Sequence, residues 1–453
     1  MESFNIEVRN PLAIGVVALL AMAAALFGQP MPNQVTADGS QQSTSNAPLT
    51  LTLQDALERA KKNNPEYRAA VTEFGLAKED KVQSRAALLP SVSYINSFIY
   101  TEGNGTPSAR FIANNGVHEY ISQGDVHQEF SLAHVADYRR ALAAEVVARA
   151  RSEIAARGLV LTVVQTYYGF VVAQRKYATA QRAEAEAQRF FDISQKLEHG
   201  GEVAHSDVIK AQIQFQEQQR SLHEAELEMN RSRLELAVLV FPDFDQDFAV
   251  VDDLQMPEPL PTFPEVQAAA ANKNPELRAA LSAMQAANQE VAVAWNGFLP
   301  SLSLDYFYGI DANHFATEGP NELRNLGYTA TATLQLPIWN WGTNRSKLKQ
   351  ADLRRQQARV ELSFTQRQLL AKVRTLYDEA QTSRSQLDLL EHSAELAAES
   401  LRLTTMRYQA GESTVLEVVD AQNTLTLSRN ASNDGQARYR VALANLQTLT
   451  GTL

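Results

Sequence analysis

Hydrophobic and polar residues alternate with two different periods along the chain, one of three to four residues and one of two. The three-to-four-residue period predicts helices. Apolar residues three and four positions apart are typical of amphipathic helices. The longest such segment of the first half runs from about residue 135 to residue 197 without a proline. At about 1.5 Å per residue it would span roughly 95 Å, which is too long for an ordinary globular core. Its apolar face contains Val160, Val163, Tyr167 and Phe170.

The helix predicted after each long helix carries a heptad repeat. Large apolar residues recur at every seventh position with small residues between them, which predicts coiled-coil packing with closely spaced backbones. Ser432 interrupts the row in the second copy, and an ordinary helical bundle is the alternative. The first copy contains Val208, Phe215, Leu222, Met229 and Leu236 with Ala211, Ala225 and Ser232; the second contains Val418, Leu425, Tyr439 and Leu446 with Ala421, Ser428 and Ala442.

Four tyrosine-bearing segments have a period of two, which predicts β-strands. They cover residues 91–100, 120–132, 301–310 and 326–338. Asn96 is an exception on an otherwise apolar face. The second segment has a strongly polar side, made of Gln123, Asp125, His127 and Glu129. The apolar face, predicted to contact lipid if the strands span a membrane, contains Val92, Tyr94, Phe98, Tyr100, Leu302, Leu304, Tyr306, Tyr308, Leu326, Tyr328 and Leu334.

Such strands fit two kinds of sheet. They have the length and pattern of strands that span an outer membrane, but a soluble sandwich with one wet face gives a similar alternation. Only four such strands are readable in the sequence, and four strands cannot close a barrel. Because lipid offers no hydrogen-bond partners to an open sheet edge, spanning strands would require several chains to share one barrel.

The chain repeats itself at one fixed offset. The phrase NPEYRAA around Pro65 returns as NPELRAA around Pro275, which is 275 − 65 = 210 positions later, and LPSVS returns as LPSLS at the same offset. Several matches at one offset indicate a tandem duplication of a unit of about 200 residues. We expect a first repeat at residues 49–240 and a second at residues 265–453, each with a helix, two strands and a long helical hairpin.

Local signals set the boundaries of these elements. Thr52 is expected to begin the first helix, with Asp55 and Glu58 near the positive end of the helix dipole, and Pro65 to interrupt it. The proline-rich stretch 241–264 joins the repeats and cannot be a long helix. Glycines at residues 200–201 and at Gly411 are expected to end the long helices in left-handed backbone, which makes each hairpin turn tight. The predicted N-caps after these turns are Ser206 in the first hairpin and Ser413 or Thr414 in the second.

The N-terminal region resembles a targeting segment. Arg9 precedes an apolar run at residues 11–27, and a Gln/Ser/Thr/Asn-rich stretch follows. We predict a signal peptide at residues 1–28 and a flexible linker at residues 29–48. Glu2 and Glu7 weaken the usual positive start, so an uncleaved anchor is the alternative. Beyond this segment no run of about 18 uninterrupted apolar residues predicts a spanning helix.

Composition narrows the chemistry. The chain has 41 basic and 52 acidic side chains, a formal charge of −11 and no basic tail, which argues against nucleic acid as a partner. The absence of cysteine excludes disulfides, cysteine-zinc sites and a lipidated N-terminal cysteine. Phosphate-binding loops and nucleophile constellations are not readable, so we expect neither an enzyme nor a cofactor or metal. His199 and His205 flank the first turn, and we interpret them as solvated loop residues rather than metal ligands.

Together these features resemble the TolC-like outer-membrane efflux factors. The strongest marks are RYQAGE at residues 407–412 followed by VVDAQ at 418–422, and the strand-to-helix crossing LPIWNWG at 336–342. The resemblance covers nearly the whole mature chain. The first crossing, at residues 132–136, lacks the proline, tryptophans and glycine of the second, and the first turn has Val203 and Ala204 where a hydroxyl is commoner. Because of these departures, the sequence does not identify the partner proteins. The departures do not change the predicted architecture.

The resemblance implies an assembly that the patterns alone do not give. It implies a mainly α fold with a small membrane β part, in which three protomers each contribute four strands to one 12-stranded barrel (4 × 3 = 12) and extend their helices into a periplasmic tunnel. Such a homotrimer would be a passive duct in outer-membrane lipid, working with a periplasmic adaptor (membrane fusion protein) and an inner-membrane transporter of the RND or ABC type. Small-molecule efflux is the expected role. Type I protein secretion is the alternative, and an adaptor or a soluble coiled-coil structural protein is less favoured.

Two groups of residues are expected to carry this function. The hairpin tips are hypothesised to dock the adaptor, with the helix seams near them closing the resting tunnel. Three glutamates at four-residue spacing, Glu391, Glu395 and Glu399, could form an acidic ring that attracts cations at the entrance, or belong to a solvated outer face. The docking residues are predicted to be Gly200, Gly201, Glu202, Ser206, Asp207, Gly411, Glu412, Ser413 and Thr414.

Overall fold

Helices dominate the computed structural model, which describes residues 49–101, 118–255, 259–319 and 324–451. The predicted signal peptide and linker lie outside these residues. Each helix of the second half ends 210 positions after its counterpart in the first (273 − 63 = 210), so the duplication is present in the fold. The helices are α1 (Leu53–Asn63), α2 (Pro65–Ala86), α3 (Leu132–His199), α4 (His205–Val240), α5 (Phe263–Lys273), α6 (Pro275–Asn296), α7 (Thr343–Gln409) and α8 (Val415–Thr450).

The strands form two sheets. A small parallel pair joins β1 (Leu49–Leu51) to β4 (Phe248–Val250). The larger sheet is antiparallel and contains β2 (Ser91–Tyr100), β3 (His118–Phe130), β5 (Ser301–Ala312) and β6 (Leu326–Gln335), in the order β2-β3-β5-β6. All four period-two segments are therefore strands, two from each repeat.

Two strands end earlier than predicted, whereas β3 begins two residues before residue 120 and β5 continues two residues past residue 310. We expected the second segment to continue to residue 132, but β3 ends at Phe130 because the Ser131 hydroxyl accepts a 3.1 Å bond from the Ala133 N–H and starts α3. We expected the fourth segment to reach residue 338, but β6 ends at Gln335. Pro337 explains this end, since proline has no N–H to donate to a ladder.

The two longest helices form the body of the chain. α3 has 68 residues and α7 has 67, so at about 1.5 Å per residue each is roughly 100 Å long. Among the described residues, α3 is the one helix that is long and apolar enough to cross a membrane by composition alone. Its apolar residues instead fill the protein core: Val163, Tyr167 and Phe170 are almost fully buried, as the three-four-three spacing predicts.

The main core lies where α1, α3, α4 and the small sheet meet. Leu51, Tyr167 and Leu236 are fully buried members of this cluster. The Tyr167 hydroxyl donates to the carbonyl oxygens of Leu51 (3.2 Å) and Val251 (2.7 Å), which ties the middle of α3 to the small sheet. Burial raises the pKa of this hydroxyl to about 12, so the tyrosine is a neutral structural donor.

The short helices begin where the sequence places their caps. Thr52 and Asp55 form a capping box at the start of α1, in which each side chain bonds to the other residue's backbone N–H. α1 ends at Asn63, and Asn64 then caps α2, whose first residue is Pro65. The backbone N–H at the first position of a helix has no partner within the helix, so proline, which lacks this group, is tolerated there. Pro65 therefore interrupts the helical segment as predicted, and it does so by starting a second helix.

The two heptad rows differ in burial. All four large residues of the α8 row, Val418, Leu425, Tyr439 and Leu446, are buried. In α4, Val208 and Leu236 at the ends are buried, whereas the three residues between them are only half-buried. The difference follows from position, because α8 packs between α3 and α7 whereas α4 packs mainly on α3 and α1.

Candidate functional site

The larger sheet has one continuous apolar face. Directly opposed residues of antiparallel strands point to the same side of a sheet. The register aligns Tyr94, Gly124, Tyr308 and Tyr328 in one row across all four strands, and Val92, Val126 and Tyr306 in the neighbouring row. The residues that the sequence assigns to an apolar face of each strand therefore share a single face of the sheet.

This apolar face is exposed on the chain. Of the eleven residues predicted to contact lipid, ten are exposed and Leu302 is half-buried. The rings of Tyr306 and Tyr328 stack on it with centroids 6.0 Å apart, and those of Phe98 and Tyr120 lie 4.9 Å apart. A large exposed apolar surface on a folded chain marks contact with lipid or protein.

The opposite face of the sheet is polar and charged. His127 and Asp305, which are directly opposed on β3 and β5, have Nδ1 and Oδ1 2.5 Å apart. Ser91 and Thr331 continue this row on the outer strands, and Asp125 and Glu129 lie on the same face. The polar side predicted for β3 is therefore one part of a polar surface that β5 and β6 extend.

The sheet has two open edges. In the described part of the chain, β2 pairs with β3 and β6 pairs with β5, and neither edge strand has a second neighbour. Such edges leave a row of backbone N–H and C=O groups without partners. An open edge next to an exposed apolar face is stable in lipid only if another strand covers it.

At the hairpin tips, far from the sheet, glycines adopt the left-handed backbone conformation that the sequence predicts. Gly201 and Gly411 have φ of +74° and +76°, in the left-handed region that favours glycine. The N–H of Glu202 donates to the carbonyl oxygen of Leu197 (2.9 Å), and the N–H of Glu412 donates to that of Arg407 (2.8 Å). These bonds close the last turns of α3 and α7 and give the two tips the same backbone geometry.

The two tips differ in how the next helix begins. Thr414 is the N-cap of α8 and forms a capping box with Glu417. The Ser413 hydroxyl also donates to Glu417, at 2.8 Å, and these hydrogen bonds lower the pKa of the Glu417 carboxyl.

The predicted N-cap Ser206 is wrong. α4 begins at His205, so its N-cap is Ala204, two residues before the predicted one, and alanine has no side chain able to accept a bond. Ser206 lies exposed in the first turn, and Asp207 pairs with Lys210 at 3.2 Å. The remaining predicted docking residues, Gly200, Glu202, Glu412 and Ser413, all lie in or beside the two turns.

A buried cluster behind the tips joins the two hairpins. The rings of Phe190 and Tyr408 lie 5.0 Å apart, and the hydroxyls of Ser194 and Tyr408 are 3.2 Å apart. Further along, the side-chain amides of Gln214 and Gln218 donate to Asn423 at 2.9 and 3.4 Å. The sequence did not reveal these contacts. Their signal is weak, because single polar residues at half-apolar helix positions are common.

The three glutamates near the second tip are exposed, but they differ in whether a basic side chain pairs with the carboxylate. Glu399 accepts two hydrogen bonds from Arg402 (2.6 and 2.8 Å), which lower the pKa of its carboxyl. Glu395 lies 3.5 Å from His392. The arginine offsets part of the negative charge that an acidic ring would need, so the ring remains a hypothesis that rests mainly on Glu391 and Glu395.

The histidines at the first tip have nearby protein partners. His199 Nδ1 lies 2.7 Å from the Gln195 carbonyl oxygen, and His205 Nδ1 lies 2.6 Å from Glu198 Oε1. In the ranges that the structure describes, no group of three or more histidine or acidic residues is arranged to hold a metal ion.

An amphipathic sheet with open edges, continuous with helical hairpins roughly 100 Å long, defines a membrane channel protein with a long helical extension. Residues 56–240 and 266–452 match the family described as outer membrane efflux protein, one match per repeat. The chain belongs to this family and is an outer-membrane channel whose helices extend into the periplasm. The predicted fold class, family and location are confirmed.

Individual relatives are similar over most of their length. The alkaline protease secretion protein AprF of Pseudomonas aeruginosa is 23% identical, over 89% of this chain and 85% of its own. The outer membrane protein TolC of Vibrio cholerae is 26% identical, over 87% and 89%. Among solved structures, the CmeC outer membrane channel of Campylobacter jejuni superimposes with a TM-score of 0.77 at 19% identity, covering 94% of each chain.

Proposed function

We propose that three copies of this chain form one passive exit duct that carries small molecules out of the cell. The observation that carries the proposal is the four-stranded sheet, which has an exposed apolar face, a polar opposite face and two open edges. Three such sheets joined edge to edge would give a 12-stranded barrel (4 × 3 = 12), with the apolar face in lipid and the polar face around a wet lumen. His127 and Asp305 would then line that lumen.

Transport through such a duct needs no catalytic residue. The helical hairpins would continue the lumen into the periplasm, and the energy for export would come from an inner-membrane transporter of the RND or ABC type. The protein's own contribution is to enclose a polar path and to close it at rest. The buried tip cluster, with Phe190, Ser194 and Tyr408, supports closure at the far ends of the hairpins.

The tips are the proposed docking surface for a periplasmic adaptor. Their two exposed turns have the same backbone geometry, so a trimer would present six similar sites to a partner with its own helical hairpins. The turns around Gly201 and Gly411 are closed by the backbone bonds described above, and both glycines are exposed. This leaves their outer surface free for an adaptor.

Protein secretion is the second candidate function. The similarity to AprF of Pseudomonas aeruginosa, described as an alkaline protease secretion protein, favours it. The relatives also include the pyoverdine export outer membrane protein OpmQ of the same species, which favours a small-molecule cargo. Both cargoes would use the same duct, so the transporter and adaptor would select between them.

Deletion of the gene in its host separates the two candidate functions. Small-molecule efflux predicts lower minimum inhibitory concentrations for several toxic compounds and an unchanged set of secreted proteins. Secretion predicts loss of one or more proteins from the culture medium with unchanged susceptibility. Restoring the phenotype with the wild-type gene is the control, and a deletion that changes neither property contradicts the proposed function.

A further inference from the structure

The two strand-to-helix crossings differ, although the repeats have the same elements. In the first repeat, β3 ends at Phe130, and Ser131 is already the N-cap of α3. In the second repeat, β6 ends at Gln335 and α7 begins at Thr343, so residues 336–342 belong to neither a strand nor a helix. The duplication therefore does not account for this segment.

The segment carries large apolar side chains that the chain itself leaves uncovered. Ile338 and Trp341, at 92% and 89%, are the most exposed large apolar residues in the part of the chain that the structure describes, and Trp339 is 76% exposed. The rings of Trp339 and Trp341 meet edge to face, with centroids 5.8 Å apart. Apolar surface concentrated in this way on a folded chain marks contact with lipid or protein.

The backbone of the segment is also unusual. Trp341 has a φ of +52°, which is the one positive φ at a non-glycine position among the described residues, and Gly342 follows at +81°. A bulky L-residue rarely adopts this region, and such strain persists mainly where the side chain has a function. Since the Trp341 ring is almost fully exposed, that function does not lie in the core of the chain.

The helix that follows begins with a block of basic side chains. Residues 343–359 contain six lysines and arginines and one aspartate. Arg354 and Arg355 have carboxylate partners, whereas Arg345, Lys347 and Lys349 are exposed and belong to none of the ion pairs in the described ranges. Arg345 and Lys349 share one face of the helix and Lys347 lies on another. We call these last three residues the basic block.

The first repeat lacks the basic block as well as the tryptophans. The counterparts of the block, 210 positions earlier on α3, are Val135, Asp137 and Arg139. Asp137 also pairs with Arg140 at 3.1 Å, which offsets part of the positive charge there. The exposed rings and the unpaired basic groups therefore occur together, at one of the two crossings.

The tryptophans and the basic block lie at the end of the sheet nearest the helical body. The Asn344 side chain donates to the Gly297 carbonyl oxygen, which joins the start of α7 to the end of α6. The Asn296 side chain donates to the Leu132 carbonyl oxygen at 2.8 Å, which joins α6 to the start of α3. The last turn of α6, with Trp295, is therefore at the same level. Because the helices extend into the periplasm, this is the level of the periplasmic leaflet of the outer membrane.

We propose that residues 336–349 form a binding surface for the headgroups of anionic phospholipid in that leaflet. The rings of Trp339 and Trp341 lie at the boundary between acyl chains and headgroups, where amphipathic rings are favoured. The basic block pairs with lipid phosphates. The surface continues the apolar face of the sheet, which favours lipid over a protein partner, and its positive charge favours anionic over zwitterionic lipid. It depends on the location of the chain in the outer membrane, and not on the number of copies or the cargo.

Tryptophan fluorescence in lipid nanodiscs tests this surface. The chain has three tryptophans, so in a Trp295→Phe background only Trp339 and Trp341 report. The nanodiscs are made of phosphatidylcholine with the same small fraction of either brominated phosphatidylglycerol or brominated phosphatidylcholine. Bromine quenches only at close range, so the ratio of the two quenching efficiencies measures the local enrichment of anionic lipid. We expect the anionic lipid to quench at least about twofold more strongly, and the preference to vanish in about 1 M salt, where the screening length falls to about 3 Å.

Removing the basic block should remove the preference. In the same background, Arg345→Gln/Lys347→Gln/Lys349→Gln is expected to be quenched equally by the two brominated lipids. A preference that survives in this variant overturns the assignment to these residues. Native mass checks the assembly of the variant, and if it does not assemble, the salt dependence of the protein with its basic block intact decides.

A matched control removes one arginine and two lysines elsewhere. Lys61→Gln/Lys62→Gln/Arg68→Gln changes exposed residues at or before the first turn of α2, and at 1.5 Å per residue Arg68 lies about 27 Å from the end of α2 nearest the sheet. This variant should keep the preference for the anionic lipid.

Two results with the unaltered basic block would overturn the proposal. Equal quenching by the two brominated lipids contradicts the anionic preference. Strong quenching by aqueous acrylamide with none by either lipid contradicts lipid contact and leaves the surface to a protein partner. Neither result changes the chain mass of the native particle or the export phenotype, so the proposed function stands or falls separately.

Discussion

The hydroxyl groups of Ser194 and Tyr408 lie 3.2 Å apart in the buried cluster behind the tips, and they connect the end of the first long helix to the end of the second. Both side chains are almost fully buried. The Ser194 hydroxyl also donates to the Phe190 carbonyl oxygen at 3.0 Å. If the tips must separate for export, this cluster is part of what holds them together.

Tyr408→Phe is expected to loosen the tips without unfolding them. The ring would still pack on Phe190, and the loss of one buried hydrogen bond costs about 1 kcal/mol. We expect amide hydrogen exchange to become roughly fivefold faster at the tip ends of α3 and α7, which is about what 1 kcal/mol of local opening gives. Exchange in the core around Val163 and Tyr167 should not change. Equal acceleration in the core would show that the hydroxyl pair is not a local link.

Gly411→Val is expected to abolish export and leave the assembly intact. At φ of +76° a residue with a Cβ is strained by about 1–2 kcal/mol, and β-branching adds to this, so the second tip must rearrange. Minimum inhibitory concentrations and native mass measure the two properties. Gly75→Val on the exposed face of α2, where a Cβ meets nothing within 4 Å, is the control. Unchanged susceptibility in the Gly411 variant contradicts the assignment of the tips.

Acid is expected to weaken the second tip before the first. The folded-state pKa of Glu417 lies below its ordinary value because Ser413 and Thr414 bond to the carboxylate. The stability from this lowered pKa is fully present above the unfolded pKa of about 4.5 and is lost as pH falls through the lower folded value. The hydrogen-exchange protection factor at the start of α8 should therefore fall below about pH 4.5.

Glu417→Gln should remove this acid dependence at the start of α8. The start of α4, where Ala204 provides no capping side chain, is an internal control that should show no such step. An acid-induced step that persists in the Gln variant would mean that another group causes it.

Gly309 and Gly327 form a directly opposed pair on β5 and β6, yet only one of them is expected to be essential. A Cβ on Gly309 would collide with the backbone of Ser122 and Gln123 on β3, whereas a Cβ on Gly327 meets nothing within 4 Å. Gly309→Ala should lower the melting temperature and the yield of assembled protein, and Gly327→Ala should change neither. Equal tolerance of the two variants would contradict the close approach of β3 and β5.

The sequence predicted the regular parts of the molecule because periodicity is local. The three-four spacing placed Val163 and Tyr167 in the core, and the alternation placed Tyr94 and Tyr328 on one apolar face. The 210-residue echo predicted that the same elements would occur twice. The two periodic patterns depend only on neighbouring residues of a single helix or strand, and the echo depends only on comparing one half of the sequence with the other.

The sequence did not predict contacts that join the two repeats. The pairs His127–Asp305 and Ser194–Tyr408 bring together residues far apart along the chain, and only the order β2-β3-β5-β6 and the packing of the hairpins create them. Ser206 was assigned as an N-cap from residue type alone. The turn after Gly201 is two residues shorter than that assignment required, because the N-cap is Ala204.

The mass of the purified mature protein in mild detergent tests the central claim most directly, which is that open-edged sheets from several chains complete one another. Native mass spectrometry should show one stable species of three chain masses, and it should lose solubility when detergent is removed. A stable single-chain particle, or a well-behaved particle in detergent-free buffer, would contradict the account.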